Sequence, residues 1–152
     1  GEELDAVYTA SIEFFTTLIP QSLDPAVCTV RLHGDRDALP ADYLSAADHL
    51  SARMTGTDFH VNVLAAYDAY DELRAAARRA HDEGCDIATA FDIGEVDLVV
   101  RTTSEPLLSG FLPLQSQYAQ LRFLDTALND LPMSKVEQLM AEFRQFPHLR
   151  GR

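Results

Sequence analysis

The residues best suited to chemistry lie in one stretch, Arg101 to Phe123, directly after an apolar run. At its start this stretch groups a guanidinium, several hydroxyls and a carboxylate, contributed by Arg101, Thr102, Thr103, Ser104, Glu105 and Ser109. Hydroxyls, backbone N–H groups and one guanidinium at a strand end bind an anionic phosphate group through charge-assisted hydrogen bonds. The residues alone leave two interpretations open, an oxyanion site or an ordinary polar loop.

The signatures of several large protein classes are missing from this sequence. It contains no GxxxxGK(S/T) phosphate loop, no GxGxxG after a strand, no GxSxG elbow and no HExxH zinc motif. Its five histidines are scattered without ligand spacing, and its two cysteines, Cys28 and Cys85, form no CxxC pair. We therefore expect packed or solvated histidines and two reduced, buried thiols in a cytoplasmic protein.

The elements that must position the polar stretch alternate between helix and strand patterns. Strands separated by helices indicate parallel βαβ units, hence an α/β fold with a parallel sheet flanked by helices and a ligand crevice at the carboxyl ends of the strands. We expect one domain over residues 1–152. The predicted helices are Leu4 to Ile19 (stopped before Pro20), Pro40 to Gly56, Asp68 to Glu83 (capped by Gly84) and Met133 to Phe146; the predicted strands are Val27 to Leu32, Phe59 to Ala65, Val96 to Thr102 (buried on both faces) and Leu121 to Leu124.

Composition limits the partners. Twelve Lys and Arg face twenty-four Asp and Glu, a balance that repels a phosphate backbone, so we expect no nucleic acid partner. The acidic surface suits either ordinary solubility or a high-salt cytoplasm that screens the self-repulsion. No apolar run approaches the roughly 20 residues of a membrane-spanning helix, and the opening Gly1-Glu2-Glu3 lacks a signal-peptide pattern and looks like a cut.

The stretch after the apolar run resembles the cis-prenyltransferase family. In that family a strand reading Asp-Leu-Val-Ile runs into Arg-Thr-x-Gly-Glu-x-Arg-Leu-Ser-Asn-Phe-Leu-x-Trp-Gln-x-x-Tyr-x-Glu-Leu-x-Phe. Two upstream stretches also match, a Gly-Asp-x-x-x-Leu-Pro turn and an Asn-x-x-x-x-Tyr-Gly-Gly-Arg-x-Glu-Ile segment. The matching residues are Gly34, Asp35, Leu39, Pro40, Asn62, Tyr67, Glu72, Asp97, Leu98, Val99, Arg101, Thr102, Glu105, Leu108, Ser109, Phe111, Leu112, Gln115, Tyr118, Leu121 and Phe123.

The resemblance implies an activity, a site and partners. The family condenses isopentenyl diphosphate with an allylic diphosphate, uses Mg²⁺, and makes polyprenyl diphosphates that serve as carrier lipids. Applied to this chain, it implies a dimer in contact through Phe111 to Phe123, either a homodimer or a heterodimer with a homologue. It also implies a cytoplasmic protein that associates peripherally with membranes through its lipid product. The substrate diphosphate is expected at Arg101, Thr102 and Ser109, with possible site support from Glu105, Asn62 and Tyr67.

Several positions depart from the family pattern. Its second diphosphate-binding Arg is Leu107 here, and its Glu that helps to hold magnesium is Gln120. The Gly-Gly-Arg after Tyr67 is absent, as is an Asp-Gly-Asn-x-x-Arg-Trp element. We therefore expect the family fold without its N-terminal unit, no metal ligand at Gln120, and no elongation by this chain alone.

Two functions stay open at this point. One is a polyprenyl diphosphate synthase, and the other is a non-catalytic subunit or degenerate paralogue that pairs with an active homologue. Individual residues also keep simpler explanations. Glu105 could pair with Arg101, and Tyr67 and Glu72 could merely begin a helix whose dipole favours acidic residues there.

Overall fold

The computed structural model describes residues 1–103 and 105–146, and the chain forms two compact units, Gly1–Glu72 and Leu73–Arg152. Helix α4 begins in the first unit and continues into the second. The elements are α1 (Glu2–Glu13), α2 (Ile19–Ser22), β1 (Cys28–His33), α3 (Ala41–Arg53), β2 (Phe59–Leu64), α4 (Ala69–Glu83), β3 (Leu98–Arg101), β4 (Gln120–Phe123) and α5 (Met133–Gln145). The expectation of a single domain stays a prediction.

All four strands pair in parallel, β1 with β2 in the first unit and β3 with β4 in the second. Helix α3 connects the first pair, which is the βαβ arrangement that parallel strands require. The predicted α/β fold of parallel strands and helices is confirmed. None of the described helices is both long and apolar enough to cross a membrane.

The core of the first unit forms where helix α3 covers strand β1. Tyr43, Ala47 and Leu50 recur at spacings of four and three, so they share one buried face of α3. The ring of Tyr43 meets that of Phe15 edge-on, with centroids 5.2 Å apart. Its burial, with a smaller contribution from nearby Tyr8, raises the pKa of Tyr43 above its usual value. Full burial of a side chain such as Leu50 or Phe15 contributes about 1.5–3 kcal/mol, and this packing holds α3 against β1.

The first helix continues past Pro20, so the predicted stop before this proline is wrong. A π-helical turn, Phe14–Leu18, separates α1 from α2, and the Ile19 N–H donates to the Phe14 carbonyl. A proline lacks an N–H and clashes with the carbonyl four residues earlier in a regular α-helix. The wider π-helical turn ends the regular α-helical hydrogen bonding before Pro20. Pro20 therefore lies in the first turn of α2, where proline is tolerated.

Gly34 lets the chain leave β1 in close contact with the end of β2. Its φ is +128°, and an added Cβ would lie 1.8 Å from the carbonyl oxygen of Ala65. The next N–H, that of Asp35, donates to the Ala66 carbonyl at 3.0 Å. The turn after β1 therefore depends on the absence of a side chain at position 34.

The second unit departs from two expectations. Val99 is 3% exposed but Val100 is 37% exposed, so the predicted burial of β3 on both faces is wrong. Successive side chains of a strand point to opposite faces, and only the Val99 face is well covered. Gly84 ends α4 with φ +66°, as predicted, but Cys85 just beyond it is exposed. The prediction of two buried thiols therefore holds for Cys28 alone, because Cys85 lies where the chain turns outward from a helix end.

We predict that Gly34→Ala lowers the free energy of unfolding by at least about 2 kcal/mol, because it combines a clash with a strained φ. Gly94→Ala is the matched control, since a Cβ at Gly94 meets no atom within 4 Å. Urea denaturation of the two variants and the parent measures the difference. Equal losses in both variants would contradict the close approach described for Gly34.

Candidate active site

Arg101 ends strand β3, and the loop that follows holds its guanidinium. Nη1 donates to the Leu108 carbonyl at 3.2 Å, and Nη2 donates to the Ser109 hydroxyl at 3.3 Å. The side chain is half-buried. These contacts orient the group but use only part of its five N–H donors. Among the described residues, two hydrogen bonds thus orient Arg101 and leave some of its N–H donors unused.

The loop around Ser109 has an unusual backbone. Ser109, Gly110 and Leu112 have φ values of +51°, +76° and +42°. Non-glycine residues adopt such values at a cost of about 1–3 kcal/mol, so the surroundings must hold them there. The Phe111 N–H closes the turn onto the Leu108 carbonyl at 3.0 Å. Within residues 105–146 and 1–103, no backbone carbonyl accepts from the N–H of Ser109 or Gly110.

A pocket of about 310 Å³ opens beside Arg101, and its lining also includes Val100, Thr102, Thr103 and Phe111. This volume falls at the lower end of the range for small-molecule sites. We call it the Arg101 pocket. Of the predicted substrate ligands, Arg101 and Thr102 line it directly, and Ser109 contacts Arg101. The structure thus brings these three residues together around a cavity that suits a small anion.

Glu105 and Leu107 lie in the loop after β3 and add no further cation to it. Glu105 is exposed, and its backbone N–H donates to the Thr103 hydroxyl at 3.4 Å. No ion pair joins Glu105 to Arg101 in the described part of the chain. Leu107 is 55% exposed, so its apolar side chain extends into solvent where a longer cationic one would also fit.

Asn62 and Tyr67 belong to the first unit and make contacts there. The Asn62 Oδ1 lies 2.9 Å from His33 Nε2, and the Tyr67 hydroxyl donates to Glu72 at 2.6 Å. The contact of His33 with Asn62 was not expected, because His33 was grouped with the scattered histidines. The parallel register pairs Arg31 with Asn62 and so places His33, two residues later, on the same face of the sheet, but this register is visible only in the structure.

Gln120 does not fit the magnesium role that the resemblance assigns to this position. Its Oε1 accepts from Arg122 Nη2 at 3.1 Å, and its Nε2 donates to the Phe143 carbonyl at 3.4 Å. Magnesium favours carboxylates and substrate phosphates, whereas an amide offers only a neutral oxygen. Among the described residues, no group of three or more His, Cys, Asp or Glu side chains could hold a metal ion.

Comparison with known proteins identifies the relatives of this chain. Residues 2–149 match the model of the family described as "Putative undecaprenyl diphosphate synthase". An isoprenyl transferase from Listeria monocytogenes is 27% identical over 94% of this chain, but the chain spans only 63% of that protein's length. The (2Z,6E)-farnesyl diphosphate synthase of Mycolicibacterium smegmatis is 34% identical over 77% of this chain and 53% of its own length.

Solved structures agree on the fold. A "probable undecaprenyl diphosphate synthase" from Campylobacter jejuni matches 99% of this chain and 72% of its own, with a TM-score of 0.78 at 23% identity. The lavandulyl diphosphate synthase of Lavandula x intermedia, in complex with dimethylallyl diphosphate, matches 97% of this chain and 70% of its own, with a TM-score of 0.82 at 17% identity. With the family model covering nearly every residue, this chain belongs to the undecaprenyl diphosphate synthase family of prenyltransferases.

Proposed function

We propose that this chain binds isopentenyl diphosphate at the Arg101 pocket and provides that half of a site that makes polyprenyl diphosphates. The observation that carries the proposal is the Arg101 guanidinium, fixed by Leu108 and Ser109 next to a pocket of suitable size. Hydrogen bonds to charged groups contribute about 1.5–3 kcal/mol each, so one guanidinium and a few hydroxyl and backbone donors bind a diphosphate weakly.

The condensation reaction requires of this half of the site mainly that it binds and orients isopentenyl diphosphate. The alkene of isopentenyl diphosphate attacks the allylic carbon as that carbon's diphosphate departs, and the resulting cation loses a proton to restore a double bond. Catalysis therefore consists mainly of alignment and charge neutralisation. Arg101 would hold the non-departing diphosphate and thereby position the alkene. The names of the relatives, which are prenyl transferases and a farnesyl diphosphate synthase, support this class of reaction.

A non-catalytic subunit that pairs with an active homologue is the second candidate. It is favoured by Leu107, whose apolar side chain has no hydrogen-bond donor for a diphosphate, and by Gln120, whose amide already contacts Arg122 and Phe143. Such a subunit would keep the fold and a weak anion site while its partner condensed the substrates. In either case we propose a cytoplasmic protein that associates peripherally with the membrane through a lipid product.

We predict that Arg101→Ala abolishes pyrophosphate binding and that Leu107→Arg strengthens it. The first change removes the fixed cation, and the second places a guanidinium at the exposed position where the family pattern has a second arginine. One added charge-assisted interaction of about 1.5–3 kcal/mol corresponds to roughly a tenfold to hundredfold lower Kd. Titration calorimetry with inorganic pyrophosphate, and then with isopentenyl diphosphate, gives these affinities.

Arg36→Ala is the matched charge control for that experiment. Arg36 pairs with Asp48 at 2.7 Å, and both side chains are about half exposed, at 48% and 58%. Its loss removes one positive charge but at most about 1 kcal/mol of stability. Identical affinities in the parent, Arg101→Ala and Leu107→Arg would mean that the resemblance at this pocket is one of fold only.

We predict that the purified chain alone does not elongate an allylic diphosphate. Residues 1–152 contain no Asp-Gly-Asn-x-x-Arg-Trp element to hold the allylic substrate, and position 107 lacks the second arginine. The measurement is incorporation of labelled isopentenyl diphosphate into butanol-extractable product in the presence of magnesium. Product formation by this chain would make it an enzyme in its own right and exclude the second candidate.

We predict a dimer, in contact through the segment from Phe111 to Phe123. Within it Leu114, Tyr118 and Leu121 are 41%, 61% and 39% exposed, an apolar density that favours burial against a partner. Tyr118→Asp should therefore shift sedimentation towards monomer, whereas Tyr70→Asp should not, although Tyr70 is 71% exposed. A monomeric parent at micromolar concentration, in both high and low salt, would refute this prediction.

A further inference from the structure

Strand register separates Gln120 from the Arg101 pocket. Gln120 pairs with Leu98 and Phe123 pairs with Arg101, so the two positions lie at opposite ends of the β3–β4 pair. Three residues along a strand span about 10 Å. An odd offset of three also sends the side chains to opposite faces of the sheet. Within one chain, the amide of Gln120 and the guanidinium of Arg101 therefore do not face the same ligand.

The Gln120 amide has a different task, which its contacts define. It accepts from Arg122, two residues on and thus on the same face of β4, and it donates to the Phe143 carbonyl of helix α5. Arg122 in turn donates to the Leu121 carbonyl at 3.1 Å, and its guanidinium carbon lies 5.6 Å from the centroid of the Phe146 ring. The amide and the guanidinium thus contact the last turn of α5 and the residue that follows it.

We infer that Gln120 is a structural tie between β4 and α5 rather than a metal ligand, and that the Arg101 pocket takes its diphosphate without magnesium held at this position. The second clause rests on the proposed function, whereas the first rests on the contacts alone. A neutral amide suits the tie because it donates and accepts at once, which a carboxylate cannot do while ionised.

The metal half of the inference is tested by titrating inorganic pyrophosphate into the parent chain in EDTA and in excess magnesium. The expected affinity in magnesium is equal to or weaker than that in EDTA, since the ion also binds pyrophosphate in solution. In parallel, Mn²⁺ is added without pyrophosphate, and the amide resonances of residues 120–123 are followed for paramagnetic broadening. We expect no paramagnetic broadening that is present in the parent chain and absent in Gln120→Ala. The inference would be overturned if magnesium strengthened pyrophosphate binding, or manganese broadened these resonances, in the parent chain but not in Gln120→Ala. This holds also for a metal site that two subunits of a dimer form together.

The structural half is tested by thermal unfolding of Gln120→Ala, Arg122→Ala and the double variant. Each single change is expected to lower the melting midpoint by about 2 to 4 °C, the shift for roughly 1 kcal/mol in a chain of this size. The double variant should lose less than the sum, because the two residues share one interaction. Gln21→Ala, at an exposed position in the first unit, is the control and should melt like the parent. Strictly additive losses would overturn the tie.

Failure of the proposed function would be recognised separately. If pyrophosphate binds in neither condition, the Arg101 pocket is not a diphosphate site. The manganese and melting measurements then decide the role of Gln120 by themselves, since neither of them requires bound pyrophosphate.

Discussion

The hold of the Leu108 carbonyl and the Ser109 hydroxyl on the Arg101 guanidinium is the interaction on which the candidate site depends. It joins the carboxyl end of a short strand to a loop with residues in left-handed conformations. Without it, the cation would lose its fixed position, and the loop would keep only its own backbone contacts, such as that of the Phe111 N–H with the Leu108 carbonyl. Strand β3 sets the direction in which the Arg101 side chain leaves the backbone. The two hydrogen bonds to the loop then hold this flexible side chain as a fixed charge next to a cavity.

The acidic character of the chain sets the conditions under which that charge acts. A formal net charge of −12 repels an approaching diphosphate, and at physiological ionic strength this repulsion is largely screened beyond the Debye length of about 8 Å. Arg101 can attract the anion only locally, where its donors form direct hydrogen bonds. Salt therefore weakens the long-range repulsion and the local attraction together, and the balance between them determines how selective a weakly binding pocket is.

Much of the architecture followed from local patterns, because each pattern has a short-range cause. Apolar patterns located α1, α3, α4, α5 and the four strands among the described residues, and Gly84 was identified as a cap from its place after a basic helix end. The helix through Pro20 and the exposed Val100 were not foreseen. A π-helical turn depends on whether one extra residue can be packed into the helix. The burial of a strand face depends on segments distant in the sequence. A local sequence pattern therefore predicts neither.

For the candidate site, the sequence indicated which neighbouring residues belong together but not which residues are brought together by strand pairing. Arg101, Thr102 and Ser109 could be grouped because they follow one strand within a few residues, and their role as diphosphate ligands stays a prediction. The register that separates Gln120 from them could not be read from the sequence, since one residue of slip between β3 and β4 moves a side chain to the other face. The contact between His33 and Asn62 required the pairing of two strands that lie about thirty residues apart, and spacing along the chain does not reveal it.

The different environments of the two thiols have a practical consequence for spectroscopy. Cys28 is packed in the first core, whereas Cys85 is exposed immediately after helix α4. Because the sequence contains no other cysteine, a maleimide dye or nitroxide reagent can modify the natural chain at one accessible point without any substitution. A probe at this point, immediately after helix α4, would report any assembly of subunits in solution.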